Sequence, residues 1–163
     1  MSQKNNPIRP TDDAAIALAK DLIANAKFGA LGVIDPATKH PHVTRIAIAT
    51  TPSGLPLGLI SDLSDHTKAL RADPNASLLL GEPLDKGDPL THPRITLTCK
   101  AEFIPKDRDS YQDLRDHYLT QNPKAKLYID FADFNLVHFI PTAADLNGGF
   151  GKAFKLTPED LGF

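Results

Sequence analysis

The segment LISDLSDHTKALRADPNASLLLGE, Leu59 to Glu82, places His66, Thr67 and Lys68 at the opening of a short helix, with Arg71 one turn on. The positive end of a helix dipole lies at its N-terminus, so cations there are mildly unfavourable unless an anion joins them. Free backbone N–H groups, the Thr67 hydroxyl and the Lys68 ammonium together suit a phosphate. The same residues also describe a capped surface turn with solvated His and Lys. Ser61 ends the preceding strand, and Ser64 or Asp65 can cap the helix. Asp73-Pro74 ends it, because the residue before proline avoids the α region.

A second stretch that could carry chemistry is HVTRIAIAT. Read as a strand, it puts Val43, Arg45, Ala47 and Ala49 on one face and Thr44, Ile46, Ile48 and Thr50 on the other. The Arg45 face is small, leaving room for a flat group beside a guanidinium able to bind phosphate in bidentate fashion. An edge-strand arginine pointing at water fits the same pattern. The third stretch, NGGFGKA from Asn147 to Ala153, sets glycines around Phe150 and permits close backbone approach or positive φ. It is not a phosphate loop, since Ala153 follows Lys152, nor a dinucleotide fingerprint, which would open a helix. A glycine-relaxed barrel corner is the alternative.

Six histidines are present, yet none stands in HExxH or another metal-ligand spacing, so no metal site is expected. His40 and His42 flank Pro41 in an expected turn, and His138 sits mid-strand as a core or interface histidine. No serine lies in GxSxG and no Cys/His pair is indicated, which argues against acyl transfer. No catalytic residue is assigned.

The elements that would position these residues follow from the hydrophobic period. Residues 1–11 are polar and proline-containing and read as a mobile N-terminal arm, leaving 12–163 as one domain. TDDAAIALAKDLIANAKFG reads as a helix capped by Thr11, with Ile16, Ala19, Leu22, Ile23 and Ala26 in one stripe. From Gly29 the pattern changes to short Val-, Ile- and Thr-rich runs at hairpin spacing: GALGVID, HVTRIAIAT, LPLGLIS, ASLLLGEP and RITLTCKAEFIP. DRDSYQDLRDHYLTQ forms a second helix stopped at Asn122-Pro123, AKLYIDF a further turn, and FNLVHFIPTAADL and GGFGKAFKL two closing strands. The fold class is therefore mainly β (α+β), a small antiparallel barrel of six or seven strands with flanking helices.

Composition bounds the partners. At 163 residues with a formal net charge of -2, the chain has no overall attraction to nucleic acid or to an acidic membrane. Any anion site must be local. The start lacks the apolar core of a signal peptide, no apolar run reaches membrane-spanning length, and Cys99 is a lone cysteine, so the expectation is cytoplasmic.

Taken together, HVTRIAIAT, the Leu59–Glu82 segment, DPLTHPRITLTCKAEF and NGGFGKA resemble the FMN-binding split-barrel proteins related to pyridoxamine 5'-phosphate oxidase, nearest their haem-utilisation and CREG-like branch. The resemblance implies a split β-barrel homodimer with the cofactor at the subunit interface. It implies that Arg45 holds the FMN phosphate or ribityl chain and that Ile46, Ala47 and Ile48 lay backbone along the flavin ring. Ser61, His66, Thr67 and Lys68 would surround the phosphate, and Arg94 stands where the oxidase has a glutamine reaching the flavin from the partner subunit. The tryptophan that serves vitamin B6 in the oxidase is absent, so that substrate is not implied. The haem-degrading members carry a further C-terminal region with a histidine ligand, beyond the last residue here, which makes haem the second expectation. What the resemblance implies is an FMN-dependent oxidoreductase of unknown substrate, or a flavin- or haem-binding carrier or sensor without turnover.

Overall fold

Alternation with a period of two places one side of each strand in a shared apolar interior, and this interior is a barrel. In the computed structural model, residues 6–163 are described. The order is β1 (Ile8–Arg9), α1 (Asp13–Ala24), β2 (Phe28–Ile34), β3 (Pro41–Thr50), β4 (Pro56–Ser61), α2 (Asp65–Ala72), β5 (Asn75–Leu80), β6 (Arg94–Phe103), α3 (Tyr111–Gln121), β7 (Phe134–Asn147), β8 (Ala153–Leu156) and α4 (Pro158–Leu161). Strands β7, β4, β3, β2, β5 and β6 are neighbours in that order, all antiparallel, and β6 pairs back onto β7 to close the ring. Closure removes the exposed strand edges that an open sheet would present.

Leu31, Ile48, Leu78, Leu97, Val137 and Phe139 are fully buried in the barrel core, joined by Ala69 and Leu70 of α2 and by Ala15, Ala19 and Ile23 of α1. Strand β4 is buried on both faces, which explains its unbroken apolar run. Ile60 points into the barrel, while Leu57 and Leu59 lie under α3 in a second cluster with Tyr111, Tyr118 and Leu136. Gly58 has no room for a side chain, because a Cβ there would sit 2.7 Å from Cε2 of Phe139.

Several sequence expectations change. The ring of six is the expected barrel, and two strands among the described residues add to it: β8 extends the sheet from β7 and β1 runs parallel to β8. The expected arm therefore includes a paired segment at Ile8–Arg9, while residues 1–5 lie outside the described part. Helix α1 is capped by Asp12, whose carboxylate accepts from the Ala15 N–H, and Thr11 instead donates to the Lys155 carbonyl. His42 belongs to β3, paired with Val33, not to a turn. Helix α4 was not expected; Thr157 and Asp160 make a reciprocal capping box and Gly162 closes it with φ +89°.

The barrel is split where β3 and β4 part. They pair only through Ile48–Gly58, Ala49–Leu57 and Thr50–Pro56, whereas β3 continues along β2 back to Pro41. On its β4 side, the stretch of β3 before Ile48 has no strand partner among the described residues. Helix α2, which follows β4, packs against β2 and β3 at this gap.

Candidate functional site

Arg45 stands on the outer face of the sheet beside the split. Its strand neighbour is Ala30, which pairs with Leu79, which pairs with Thr96, so one row crosses β3, β2, β5 and β6. On β3 and β2 the outer surface along that row and the adjacent ones carries Phe28, Ala30, Gly32, Val43 and Ala47 beside Arg45, and on β5 and β6 it carries Leu79 with the polar Ser77, Thr96 and Thr98. The part on β3 and β2 is largely apolar, and Val43 is 65% exposed. The Arg45 guanidinium carbon lies 5.2 Å from the Phe28 ring centroid. Among the described residues Arg45 has no ion pair, so its charge is steadied by the ring and remains available to an anion. The sequence pattern puts Phe28 at the end of the first helix, whereas α1 stops at Ala24 and Phe28 opens β2.

Ile46 and Ile48 send their side chains into the barrel, and Ala47 faces outward. Their strand runs along the split, which leaves backbone of β3 facing the gap. His66 meets this strand directly: its Nδ1 lies 3.1 Å from Oγ1 of Thr44, the residue preceding Arg45.

The start of α2 offers fewer side-chain donors than its sequence implies. Thr67 is 1% exposed and its hydroxyl, turned in with the buried face of the helix, has no partner among the described residues. Ser61 has committed its hydroxyl: Oγ donates to Oδ2 of Asp133 and accepts from the Leu63 N–H at 3.1 Å. Lys68 is 62% exposed on its side chain and lies 3.5 Å from Asp65, a pairing weak enough to be given up for a better anion. Arg71, the cation one turn on, is engaged elsewhere, 3.7 Å above the Phe103 ring and 3.6 Å from Asp62.

What the helix start does offer is Ser64 and the backbone. Ser64 is the N-cap residue, yet its side chain makes no capping bond. Its carbonyl accepts from the N–H groups of Thr67 and Lys68, while those of Asp65 and His66 have no acceptor among the described residues. Two free amides and a free hydroxyl at the positive end of a helix are an anion-binding set. The signal was present in SDHTK, but hydroxyls at Ser61, Ser64 and Thr67 could not be ranked by sequence.

Arg94, the remaining expected residue, opens β6 on the same outer surface as Arg45, three strands across and two residues along from it. One guanidinium nitrogen donates to the carbonyls of Leu90 and His92, at 3.0 and 3.4 Å, and so fixes the loop before β6. Arg94 also lines a cavity of about 310 Å³ with Phe28, Ala30, Leu79, Leu90 and His92. His92 has both ring nitrogens engaged, Nδ1 with the Leu84 N–H and Nε2 with the Lys86 carbonyl. The Gly148–Gly151 tip is a turn with positive φ at Gly149 and Gly151, and it carries an exposed Phe150. No group of three or more potential metal ligands forms among the described residues. No helix among them is long and apolar enough to cross a membrane.

Burial holds His66 below its ordinary pKa, His42 adds to the effect and Asp65 opposes it. His138 is held down by burial too, against the pull of Glu102, 3.7 Å away. Both imidazoles are thus protonated more readily in the unfolded chain, near pH 6.5, than in the fold. The stability they contribute is present above that value and is lost as pH falls below it. The thermal midpoint should fall between about pH 7.5 and 5.5, and His66→Asn should flatten part of that slope. A midpoint constant over this range would show that neither histidine is buried as described.

Comparisons with known proteins agree with this architecture. A family described as "CREG, beta-barrel" matches residues 10–161. The non-canonical chloroplastic haem oxygenase HOZ of Arabidopsis thaliana is 33% identical over 116 residues, 71% of this chain and 34% of that protein. A haem-binding protein from Mycobacterium smegmatis superposes with a TM-score of 0.82 at 27% identity, covering 94% of this chain and 61% of the other. A protein of unknown function from Agrobacterium tumefaciens gives 0.79 at 30% identity, covering 96% and 64%. The chain thus spans about a third of the plant protein's length and under two thirds of each of these solved chains. The barrel, its split and the match over residues 10–161 lead to one assignment: the chain belongs to the CREG β-barrel family.

Proposed function

We propose that this protein binds FMN at the split and acts as a flavin-dependent oxidoreductase. The observation that carries the proposal is an Arg45 with no ion pair among the described residues, one residue after the Thr44 that meets His66 at the start of α2, where two amides and the Ser64 hydroxyl have no partner among the described residues. Arg45, Lys68, Ser64 and the first amides of α2 would hold the phosphate, with Thr67 and His66 closing the site from below and beside. Backbone of β3 from Arg45 to Ile48 would lie along the ring. Bound flavin supplies hydride or electron transfer; the chain supplies orientation, charge and exclusion of water. A cytoplasmic setting belongs to the same proposal.

Haem is the second reading, favoured by the names of the plant and mycobacterial relatives. Against it, His92, the histidine among the described residues that line the outer cavity, has both ring nitrogens engaged, Nδ1 with the Leu84 N–H and Nε2 with the Lys86 carbonyl, so it would have to give up a bond to hold haem. Absorption spectroscopy separates the two. Protein saturated with each cofactor and then desalted should retain flavin bands, prefer FMN over riboflavin, and bleach under anaerobic NAD(P)H. Retention of haem alone, with a Soret band, would reject FMN. Retained flavin that no reductant bleaches would leave a carrier or sensor rather than an enzyme.

The cofactor would sit between two copies of the chain. The outer surface leaves Phe28, Ile34, Val43 and Leu79 exposed along β2 and the strands beside it, an apolar face that suits burial against a second subunit. A stable homodimer buries about 2,000 Å² or more, so it should persist at micromolar dilution in sedimentation. Val43→Asp should then yield monomer and lose the cofactor with it. A monomeric wild-type chain that retains flavin would refute the shared site.

A further inference from the structure

Helix α2 has eight residues, and its apolar Ala69 and Leu70 seat it in the barrel core. Its cap side chain makes no bond, and its first turn hangs on the Ser64 carbonyl. Besides the His66–Thr44 contact to β3, hydrogen bonds reach the helix and the turn before it from the other side of the gap, at the start of β7. The Asp62 N–H donates to the Asp133 carbonyl at 2.7 Å, continuing the β4–β7 ladder one step beyond the paired residues Ser61 and Phe134. The Asp133 carboxylate takes the Ser61 hydroxyl, and that hydroxyl takes the Leu63 N–H. The Ser61 carbonyl takes the Ser64 N–H at 3.1 Å, and the Ser64 carbonyl takes the amides of Thr67 and Lys68. Two sets of bonds therefore meet at Ser61: its hydroxyl ties the Asp133 carboxylate to the Leu63 amide of the turn before α2, and its carbonyl holds the Ser64 amide that leads into the first turn.

The far end of the helix is gripped from the same place. Asn135 donates to Oδ1 of Asp62 at 2.9 Å and to the Asp133 carbonyl at 3.1 Å. Its own carbonyl oxygen accepts from Arg71 at 3.3 Å, in the last turn of α2. Lys106 steadies the approach to β7, donating to the carbonyls of Phe131 and Ala132 at 2.9 and 3.2 Å. We propose that Asp133 and Asn135 are positioning residues for the anion site, aiming the free amides and hydroxyl of α2 toward Arg45 without touching the ligand. The proposal rests on the FMN reading above, and it names residues that no motif in the α2 segment reveals.

Its consequences differ from those of general destabilisation. Asp133→Ala should lower FMN affinity about tenfold, the scale of one charge-assisted hydrogen bond, while riboflavin, which has no phosphate, changes less than about twofold. Ser61→Ala should do the same, and the double variant should lose no more than either alone, since both cut the Ser61–Asp133 bond. Asp133→Asn keeps an oxygen to accept the Ser61 hydroxyl and should stay within about threefold of wild type. In the ligand-free protein, hydrogen exchange at the Thr67 and Lys68 amides should quicken in Asp133→Ala, with barrel-core amides unchanged. Equal losses for FMN and riboflavin, a doubly additive loss, or unaltered exchange at those amides would overturn the proposal. A wild-type protein that does not distinguish FMN from riboflavin would instead refute the FMN reading, and the exchange measurement would still decide the role of Asp133.

Discussion

Arg45→Glu should weaken FMN binding by more than about a hundredfold, with the thermal midpoint little changed. The side chain is exposed and has no carboxylate partner among the described residues, so replacing it breaks no ion pair in the fold. It loses only the contact with Phe28, worth about 0.5–1 kcal/mol at an exposed site. The effect on the ligand is larger for two reasons. A charge-assisted bond to phosphate, about 1.5–3 kcal/mol, is removed, and a carboxylate is set against a dianion. Lys68→Ala should cost less, since Lys68 is mobile, mostly exposed and shared with Asp65. Titration of both variants with FMN and riboflavin checks the order. If Arg45→Glu binds FMN within a few-fold of wild type, the phosphate does not lie at the split.

Gly58→Ala should be the more damaging change to the fold. Its new methyl would stand 2.7 Å from Cε2 of Phe139 and 3.5 Å from Cδ1 of Ile46. Phe139 is fully buried in the barrel core and cannot swing away into solvent. Overpacking of this kind costs about 1–3 kcal/mol, which for a chain of this size lowers the thermal midpoint by roughly 2–12 °C. Because the clash is with one ring, Phe139→Leu in the same molecule should restore part of the loss, although Phe139→Leu alone destabilises. Urea unfolding of the four proteins gives the coupling directly. Strict additivity would mean that the ring is not what excludes a side chain at Gly58.

How much of this was legible in the sequence depends on the range of the interaction. Arg45 could be placed because strand alternation is local: Ala47 and Val43 share its face whatever the rest of the chain does. The unbroken apolar run of β4 was legible as a strand, but that α3 covers one of its faces is a matter of tertiary packing. Helix α4 carried a full local signal in its capping box and glycine, and its brevity hid it beside the strand before it. Ile8–Arg9 is a strand only because β8 lies alongside. The same holds for the site. Ser61 and Thr67 have the right chemistry, but Ser61 is taken by a carboxylate 72 residues away and Thr67 by burial. No local pattern encodes either fact. Ser64 became the open hydroxyl by elimination among three, which only coordinates can perform.

The clustering of the tyrosines has an optical consequence. The chain has three tyrosines and no tryptophan. Tyr111, Tyr118 and Tyr128 all belong to the cluster beneath α3, on the far side of β4 from the barrel interior. Tyrosine emission therefore reports that cluster and is nearly blind to the Arg45 surface. A flavin chromophore would report the other. Unfolding followed at the two wavelengths would reveal whether the α3 layer peels away before the barrel opens, with no label introduced.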